Sequence, residues 1–113
     1  MDCLFCKIVA GEIPGRIVYQ DDKLVAFEDV DPKAPLHVLI VPREHIASLI
    51  DITPEHDALL GYMLRRAAGI AKERGYVERG FRTVINTNRE AGQSVFHLHV
   101  HLLAGRKMTW PPG

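Results

Sequence analysis

Three histidines near the C-terminus alternate with aliphatic residues, and their spacing indicates a ligand site. His97, His99 and His101 occupy odd positions of a segment whose even positions from 98 to 102 are all leucine or valine. On a β-strand, side chains two residues apart share a face at a spacing of about 6.5–7 Å, so the pattern predicts three imidazoles lining one site. A lone histidine is usually a surface or hydrogen-bonded core residue. Three in alternation, among the six in this chain, favour a functional site over the exposed face of an ordinary strand.

The loop before these histidines indicates the ligand that they would face. Gly92, Gln93 and Ser94 offer backbone N–H groups and a hydroxyl, which suit an oxyanion such as a phosphate. Imidazole with its ordinary pKa of about 6.5 is mostly neutral at pH 7, so one ring nitrogen can attack phosphorus while the other keeps its proton. The same imidazoles also suit a metal ion, and the spacing alone leaves a metal-dependent hydrolase or oxidase open.

Two groups of predicted strands would position these residues. Apolar runs bounded by turn residues predict strands over 17–19, 24–28, 36–41, 81–86 and 95–103, after a short helical stretch over 3–11. Asp21 and Asp22 form a predicted hairpin turn between the first two strands. His37 is the one polar residue of the third strand, which is otherwise apolar and typical of the middle of a sheet.

One long helix separates the two groups of strands. Thr53 is a suitable N-cap, Pro54 suits the first helical turn, and Gly75 suits the left-handed position that follows a helix ending at about Arg74. One helix between two groups of strands favours an α+β fold over alternating parallel units. We therefore predict an antiparallel sheet of about five strands with one long helix and a short N-terminal helix.

Size and charge limit the partners. The 113 residues, 47% apolar and 25% charged, predict one globular domain over 1–113. A domain of this length buries only about two thirds of its unfolded surface, so a homodimer would add stability. The 14 basic and 14 acidic residues cancel, which argues against a polymeric nucleic acid but not against a small nucleotide. The first ten residues have no long apolar run, so we expect no signal peptide, no membrane and a cytoplasmic location.

The segment from Gly92 to Leu103 resembles the signature of the histidine triad (HIT) family. The resemblance extends upstream through the segment 29–37 and Asn86, and downstream to the ending Trp110-Pro-Pro-Gly, which is similar to the histidine triad nucleotide-binding (Hint) branch. It covers nearly the whole chain. It implies a HIT-like fold and a homodimer with one joined sheet.

The resemblance also implies a role for each matching residue. His99 would be the nucleophile that forms a nucleotidyl-histidine intermediate, and His101 would contact the phosphate oxygens. Ser94 and the backbone of Gly92 would bind the phosphate and the leaving group, with Gln93 in the same loop, and Asn86 would hydrogen-bond near the scissile bond. His37 would line the pocket, Asp29 would bind the ribose hydroxyls, and Val30 would contact the base. Trp110 would reach the site of the partner subunit.

The implied reaction releases a nucleoside monophosphate from a purine nucleoside 5'-phosphoramidate, or from a mixed anhydride, without a catalytic metal. The purine would be that of AMP or GMP. A dinucleoside polyphosphate hydrolase, as in the fragile histidine triad branch, is an alternative with the same nucleophile. A nucleotide-binding interaction module without catalysis is an alternative from another class.

Cys3 and Cys6 form a C-x-x-C pair, which is half of a tetrahedral zinc site. His45 and His97 are the histidines predicted to complete it, and some bacterial members of the family carry such a site. A disulfide is not expected, because two cysteines three positions apart close too small a loop to stabilise a fold. The alternative to a structural zinc is a pair of free, buried thiols.

Overall fold

The computed structural model describes residues 3–113, so the first two residues of the predicted domain lie outside the described part of the chain. The elements in chain order are α1 (Leu4–Val9), β1 (Ile17–Gln20), β2 (Leu24–Glu28), β3 (Leu36–Pro42), two short 3-10 turns (Leu49–Asp51 and Pro54–His56), α2 (Asp57–Glu73), β4 (Arg82–Val84) and β5 (Val100–Ala104). The strands form one antiparallel sheet in the order β1-β2-β3-β5-β4. The predicted α+β class, the strand count and both helices are confirmed.

β3 is the centre of the sheet and is buried along its whole length. It pairs with β2 on one side and with β5 on the other, and its two faces pack against different layers. Leu36, Val38 and Ile40 join the core under α2, whereas Leu39 and Val41 pack with Phe5 of α1 on the opposite face. Since side chains alternate along a strand, His37 also lies on the face opposite α2.

The turn between β1 and β2 is organised by Asp21, as part of the predicted Asp21–Asp22 turn. Its Oδ1 accepts hydrogen bonds from the backbone N–H groups of Lys23 and Leu24, both at 2.8 Å. Its Oδ2 accepts from the hydroxyl of Tyr19 at 2.7 Å and from the hydroxyl of Tyr62 on α2. This carboxylate therefore joins the hairpin to the helix.

α2 begins one turn later than the sequence predicted. Thr53 and Pro54 open a 3-10 turn that leads into the α-helix at Asp57. The helix ends as predicted, with Gly75 at φ 85°, a backbone conformation that glycine adopts without strain. None of the helices within residues 3–113 is both long enough and apolar enough to cross a membrane.

The prediction of a final strand over 95–103 is wrong at its beginning, because β5 starts only at Val100. The β3–β5 ladder stops at the pair Ile40 and Val100. Further along β3, Pro42 has no N–H to donate, and the N–H of Leu98 donates instead to the carbonyl of Ile46 at 2.6 Å. His97 and His99 therefore precede the strand, and the three imidazoles do not share one strand face. The strand predicted over 81–86 is likewise shorter, spanning only Arg82–Val84.

Candidate active site

One cleft collects six of the residues that the sequence predicted for a nucleotide site. It has a volume of about 730 Å3 and lies on the face of the sheet opposite α2. The predicted residues that line it are Asp29, Val30, His37, Ser94, His99 and His101. A second cleft of about 670 Å3 lies beside the start of α2 among charged side chains such as Arg43 and Arg65, and none of the predicted site residues lines it.

β3 and β5 bring His37 and His101 together across neighbouring strands. In the register of these strands, His101 lies opposite Leu39, one step along the same face from His37. Nε2 of His37 lies 2.9 Å from Nδ1 of His101. The two rings therefore form one hydrogen-bonded pair rather than two independent side chains.

The backbone of Lys33 fixes the protons of this pair. The N–H of Lys33 donates to Nδ1 of His37 at 3.0 Å, so the neutral His37 ring carries its proton on Nε2. That proton is donated to Nδ1 of His101, which leaves the proton of a neutral His101 on Nε2. A neutral His101 can therefore donate a hydrogen bond from Nε2.

The backbone of His97 fixes the tautomer of His99 in the opposite sense. Nδ1 of His99 lies 2.7 Å from the carbonyl oxygen of His97, which only accepts, so Nδ1 carries the proton. The lone pair of the neutral ring is then on Nε2. The ring centroid of His99 lies 4.9 Å from that of His101, so a nitrogen with a lone pair and a ring with an N–H donor line the same cleft.

Burial keeps these rings neutral. Desolvation lowers the pKa of His99, although the hydrogen bond to the His97 carbonyl opposes the shift. Desolvation, together with the neighbouring His99 and His37, lowers the pKa of His101 to about 4. Desolvation also lowers the pKa of His37, against the attraction of Asp29. At pH 7 the cleft therefore presents neutral imidazoles.

Asp29 supplies a carboxylate at the edge of this cluster. Its Oδ1 accepts from the N–H of Asp31 at 2.8 Å, and its Oδ2 lies 3.4 Å from Nε2 of His37. Val30 follows it at the rim of the cleft with its side chain fully exposed. A ligand in the cleft would meet both residues.

Four predicted site residues do not line the cleft of this chain: Asn86, Gly92, Gln93 and Trp110. The N–H groups of Gly92 and Gln93 donate to carbonyls within their own loop. The buried Gln93 amide bonds the backbone of Asn88, Ala47 and Val95 at 2.8–3.1 Å. Both residues therefore shape the loop, and Ser94 is the part of it that reaches the cleft. Trp110 is 82% exposed, away from the cleft.

Phe5 is a cleft residue that the sequence interpretation missed. It is buried in α1, and its ring meets the ring of His99 edge-on at a centroid distance of 5.0 Å. Its place in the sequence, between Cys3 and Cys6, was the available signal. A metal site that joined these cysteines to His97 would also bring Phe5 close to the histidine segment.

The four residues predicted for zinc lie together. Nδ1 of His97 lies 3.4 Å from Sγ of Cys3 and 3.5 Å from Sγ of Cys6, and Nδ1 of His45 lies 3.2 Å from Sγ of Cys6. All four donor atoms lie within 4.8 Å of one another. With Zn–S bonds of about 2.3 Å and Zn–N bonds of about 2.0–2.1 Å, a tetrahedral ion places sulfur and nitrogen about 3.5 Å apart. The donor set and its spacing fit zinc.

The hydrogen bonding of His97 also suits a metal ligand. Its Nε2 donates to the carbonyl oxygen of Pro42 at 2.7 Å, so the lone pair of the neutral ring is on Nδ1, facing the two sulfurs. Such a second hydrogen bond commonly orients a metal-binding histidine.

A second cluster of donor atoms, from Asp29, His37 and His101, is less suited to a metal. The Lys33 N–H occupies Nδ1 of His37, so the ring has no lone pair on Nε2 to give to an ion. Binding a metal there would require the loss of that hydrogen bond or of the ring proton. The hydrogen bonds of His37 therefore suit a proton donor to His101 better than a metal ligand.

Known proteins resemble this chain over almost its full length. A family model described as the scavenger mRNA decapping enzyme C-terminal binding region matches residues 2–110. The purine nucleoside phosphoramidase of Escherichia coli is 48% identical over 107 residues, which cover 95% of this chain and 90% of that protein.

Solved structures give the same result. A HIT family hydrolase from Legionella pneumophila superposes with a TM-score of 0.97 at 49% identity, covering 99% of this chain and 100% of that one. A zinc-bound histidine triad family protein from Mycobacterium smegmatis superposes with a TM-score of 0.81 at 35% identity, covering 94% of this chain and 76% of that one. The chain therefore belongs to the histidine triad family and is a hydrolase of that family.

Proposed function

We propose that this single-domain hydrolase cleaves purine nucleoside 5'-phosphoramidates to the nucleoside monophosphate and an amine, with His99 as the nucleophile. The observation that carries the proposal is the bond from Nδ1 of His99 to the His97 carbonyl, which leaves the Nε2 lone pair on a ring that lines the cleft. The name of the E. coli relative supports a phosphorus–nitrogen bond as the target.

The reaction has two displacements. In the first, Nε2 of His99 attacks the α-phosphorus, the bond from phosphorus to the substrate nitrogen breaks, and the leaving amine takes one proton from solvent. In the second, a water oxygen attacks the same phosphorus, the bond from phosphorus to Nε2 breaks, and the protons of the water are released to solvent or to neighbouring bases. The sum consumes one water and regenerates the neutral imidazole.

The donors for the developing negative charge are neutral. His101 is placed to give its Nε2 proton to a phosphate oxygen, and the Ser94 hydroxyl lies on the same cleft for the phosphate and the leaving group. Asp29 accepts hydrogen bonds from the ribose hydroxyls, and Val30 covers one side of the purine of AMP or GMP. None of these steps needs a metal ion or another cofactor.

We further propose a homodimer with one joined sheet. β4 is an edge strand, with Phe81 before it 42% exposed, and a second copy could continue the sheet there. Arg82 of β4 donates to the carbonyl of Thr109 at 3.0 Å, which ties the tail carrying Trp110 to this edge. A dimer formed along β4 would therefore carry Trp110 towards the partner's cleft, and Asn86, just past β4, would lie near the same junction.

Zinc at Cys3, Cys6, His45 and His97 is part of the proposal as a structural ion. It would cross-link α1 to the segments around residues 45 and 97, and the zinc-bound M. smegmatis relative supports it.

The test is to trap the intermediate. The chain is mixed briefly with adenosine 5'-phosphoramidate and quenched in denaturant at alkaline pH, because phosphorus–nitrogen bonds hydrolyse in acid. Peptide mass spectrometry should find AMP on His99, and should find none in the His99→Ala variant. Product formation without any modified protein would overturn the mechanism.

A parallel assay decides the substrate class. We expect faster turnover of adenosine 5'-phosphoramidate than of a diadenosine polyphosphate under the same conditions. Faster cleavage of the polyphosphate would reverse this ranking and leave the nucleophile unchanged. Nucleotide binding with no turnover of either compound would favour the interaction module.

A further inference from the structure

We propose that the site formed by Cys3, Cys6, His45 and His97 positions the nucleophile, with His97 and Phe5 as the positioning residues that connect a bound ion to His99. This inference rests on the proposed function, because it concerns the residue assigned there to attack phosphorus. It goes beyond a structural zinc, since it predicts that filling the site changes the tautomer and orientation of a catalytic ring.

The first connection is the peptide group between residues 97 and 98. Its carbonyl accepts the Nδ1 proton of His99 at 2.7 Å, and its N–H donates to the carbonyl of Ile46 at 2.6 Å. Because a peptide group is planar, fixing one end fixes the other. One end is held next to the predicted ligand His45, and the other end holds the nucleophile.

The side chain of His97 fixes the same peptide group from within the metal cluster. The ring is fully buried, with Nε2 donating to the Pro42 carbonyl and Nδ1 facing both sulfurs. An ion bound to Nδ1 would therefore restrain the ring and, through one Cα atom, the carbonyl that sets the tautomer of His99. Without the ion, weak contacts to sulfur are the restraint on Nδ1.

The second connection is Phe5. It lies between the two cysteines on α1, a helix of six residues, which is too short to be stable without tertiary contacts. The Phe5 ring meets His99 edge-on at 5.0 Å, with its centroid 6.1 Å from that of His97 and 5.3 Å from that of Phe27. An ion bound by Cys3 and Cys6 would fix α1, and with it one wall against the nucleophile.

These connections predict a change in kcat without a matching change in KM. The proposed ribose and base contacts, Asp29 and Val30, lie in the loop between β2 and β3, and none of the four predicted zinc ligands lines the cleft. Losing the ion should therefore lower the fraction of His99 that is ready to attack, and leave nucleotide affinity almost unchanged. Mutating a residue that orients a metal ligand typically lowers metal affinity or activity by about 10–100-fold. By analogy, we expect kcat to fall about tenfold when the ion that restrains His97 is removed.

The experiment compares the full chain loaded with Zn2+ and stripped by a chelator, at a temperature where circular dichroism shows both forms folded. In histidine-labelled protein, 15N NMR should show His99 with a protected Nδ1–H in the loaded form and a mixture of tautomers in the stripped form. AMP affinity should stay within about twofold, whereas kcat should fall about tenfold at an unchanged KM.

Variants separate the two connections. His45→Ala removes a ligand that does not line the cleft, so it should reproduce the stripped state even with Zn2+ present. His56→Ala is the matched control, since it removes a histidine at the start of α2 outside both clusters. Phe5→Leu keeps all four donors, so Co2+ should still give thiolate-to-metal absorption while kcat falls.

Two outcomes would overturn the inference. One is that the stripped protein, or the His45→Ala variant, stays folded and keeps both the His99 Nδ1–H signal and the original kcat. The proposed function would still stand in that case. The other outcome matters if the stripped chain unfolds and cannot be compared. In that case, a Phe5→Leu variant that binds metal and keeps its full kcat would contradict the inference. The NMR signal tests the connection between the metal site and His99 even if no substrate is turned over. Failure of the proposed function can therefore be told apart from failure of this inference.

Discussion

The carbonyl oxygen of His97 accepts a 2.7 Å hydrogen bond from Nδ1 of His99, so two members of the histidine triad act on one another through backbone rather than through their rings. The ring of His97 is directed into the cysteine cluster, whereas the ring of His99 lines the cleft. One residue thus faces a candidate metal site with its side chain and sets the tautomer of the candidate nucleophile with its main chain.

Replacing His99 should separate binding from catalysis. In His99→Ala the cleft keeps Asp29, Ser94 and His101, so AMP should bind within about tenfold of its original affinity. Turnover should fall by on the order of 10⁴ or more, as for other removed nucleophiles. Steady-state kinetics with adenosine 5'-phosphoramidate and calorimetry with AMP measure the two effects, and His56→Ala is the control. Turnover that survives in His99→Ala would remove this residue from the mechanism.

The lowered pKa of His101 makes stability depend on pH. The ring is desolvated and faces His99, His37 and Asp29, and its pKa falls to about 4 from an ordinary value of about 6.5. Between these values the unfolded chain binds more protons than the folded chain at this position. Stability is therefore complete above pH 6.5 and is lost as the pH falls towards 4.

The variant His101→Gln tests this dependence, because its amide oxygen still accepts from Nε2 of His37. We expect the melting temperature of the original chain to fall more steeply between pH 6.5 and 4 than that of the variant. Comparing the two chains removes the contribution of the histidines that they share. Equal slopes would show that His101 titrates normally in the folded state.

Local signals predicted most of the elements, and a long-range contact explains the main failure. Asp21 organises its turn, Thr53 and Gly75 mark the limits of the helical segment, and His37 lies on a central strand, each through residues nearby in the sequence. The alternation at residues 97–101 predicted three rings on one face. Cys3, 94 residues from His97, faces the first of these rings. The alternation does not encode that contact, and only the C-x-x-C pair, as half of a predicted zinc site, indicated it.

The roles of site residues followed from resemblance more than from pattern. Asp29 and Val30 occupy a loop whose composition is equally suited to a turn, and only the match to the histidine triad family indicated a ligand. Phe5 was missed because an apolar residue in a short helix suggests core packing. Its contact with His99 depends on how α1 packs against the sheet, which is a tertiary property.

Asp21 should matter for stability and not for turnover. Burial would raise the pKa of this carboxyl, but hydrogen bonds from Tyr62, Tyr19 and two backbone N–H groups together lower it. Its contribution is therefore present above the unfolded pKa of about 3.9 and is lost as the pH falls towards the lower folded pKa. At pH 7, Asp21→Ala should lower the free energy of unfolding by about 2 kcal/mol.

The neighbouring Asp22 provides the control for Asp21, since it is exposed on the same turn. Asp22→Ala should change the free energy of unfolding by less than about 0.5 kcal/mol. Urea denaturation at pH 7 measures both variants. Similar losses for the two would mean that the turn, rather than the carboxylate linking Tyr19 to Tyr62, carries the stability.

Gln93 and Ser94 are adjacent residues with opposite expected effects. The buried Gln93 amide satisfies the backbone of Asn88, Ala47 and Val95, so Gln93→Ala leaves three part-buried backbone groups unpaired and should cost about 1–3 kcal/mol of stability. Ser94 is exposed and lines the cleft, so Ser94→Ala should leave stability within about 0.5 kcal/mol. Loss of one oxyanion donor should lower its kcat by about 10²–10³-fold.

Denaturation and steady-state kinetics on the same two preparations measure this contrast, and Ser94→Thr, which keeps a hydroxyl, serves as the rescue. Ser94→Thr should recover most of the kcat lost in Ser94→Ala, because an O–H donor is again available to the phosphate. If Ser94→Ala retained full kcat while Gln93→Ala lost it at a temperature where it remains folded, the oxyanion donor would have to be sought in Gln93. The Gln93 amide is already hydrogen-bonded to the backbone of Asn88, Ala47 and Val95, so we expect Ser94 to be the oxyanion donor.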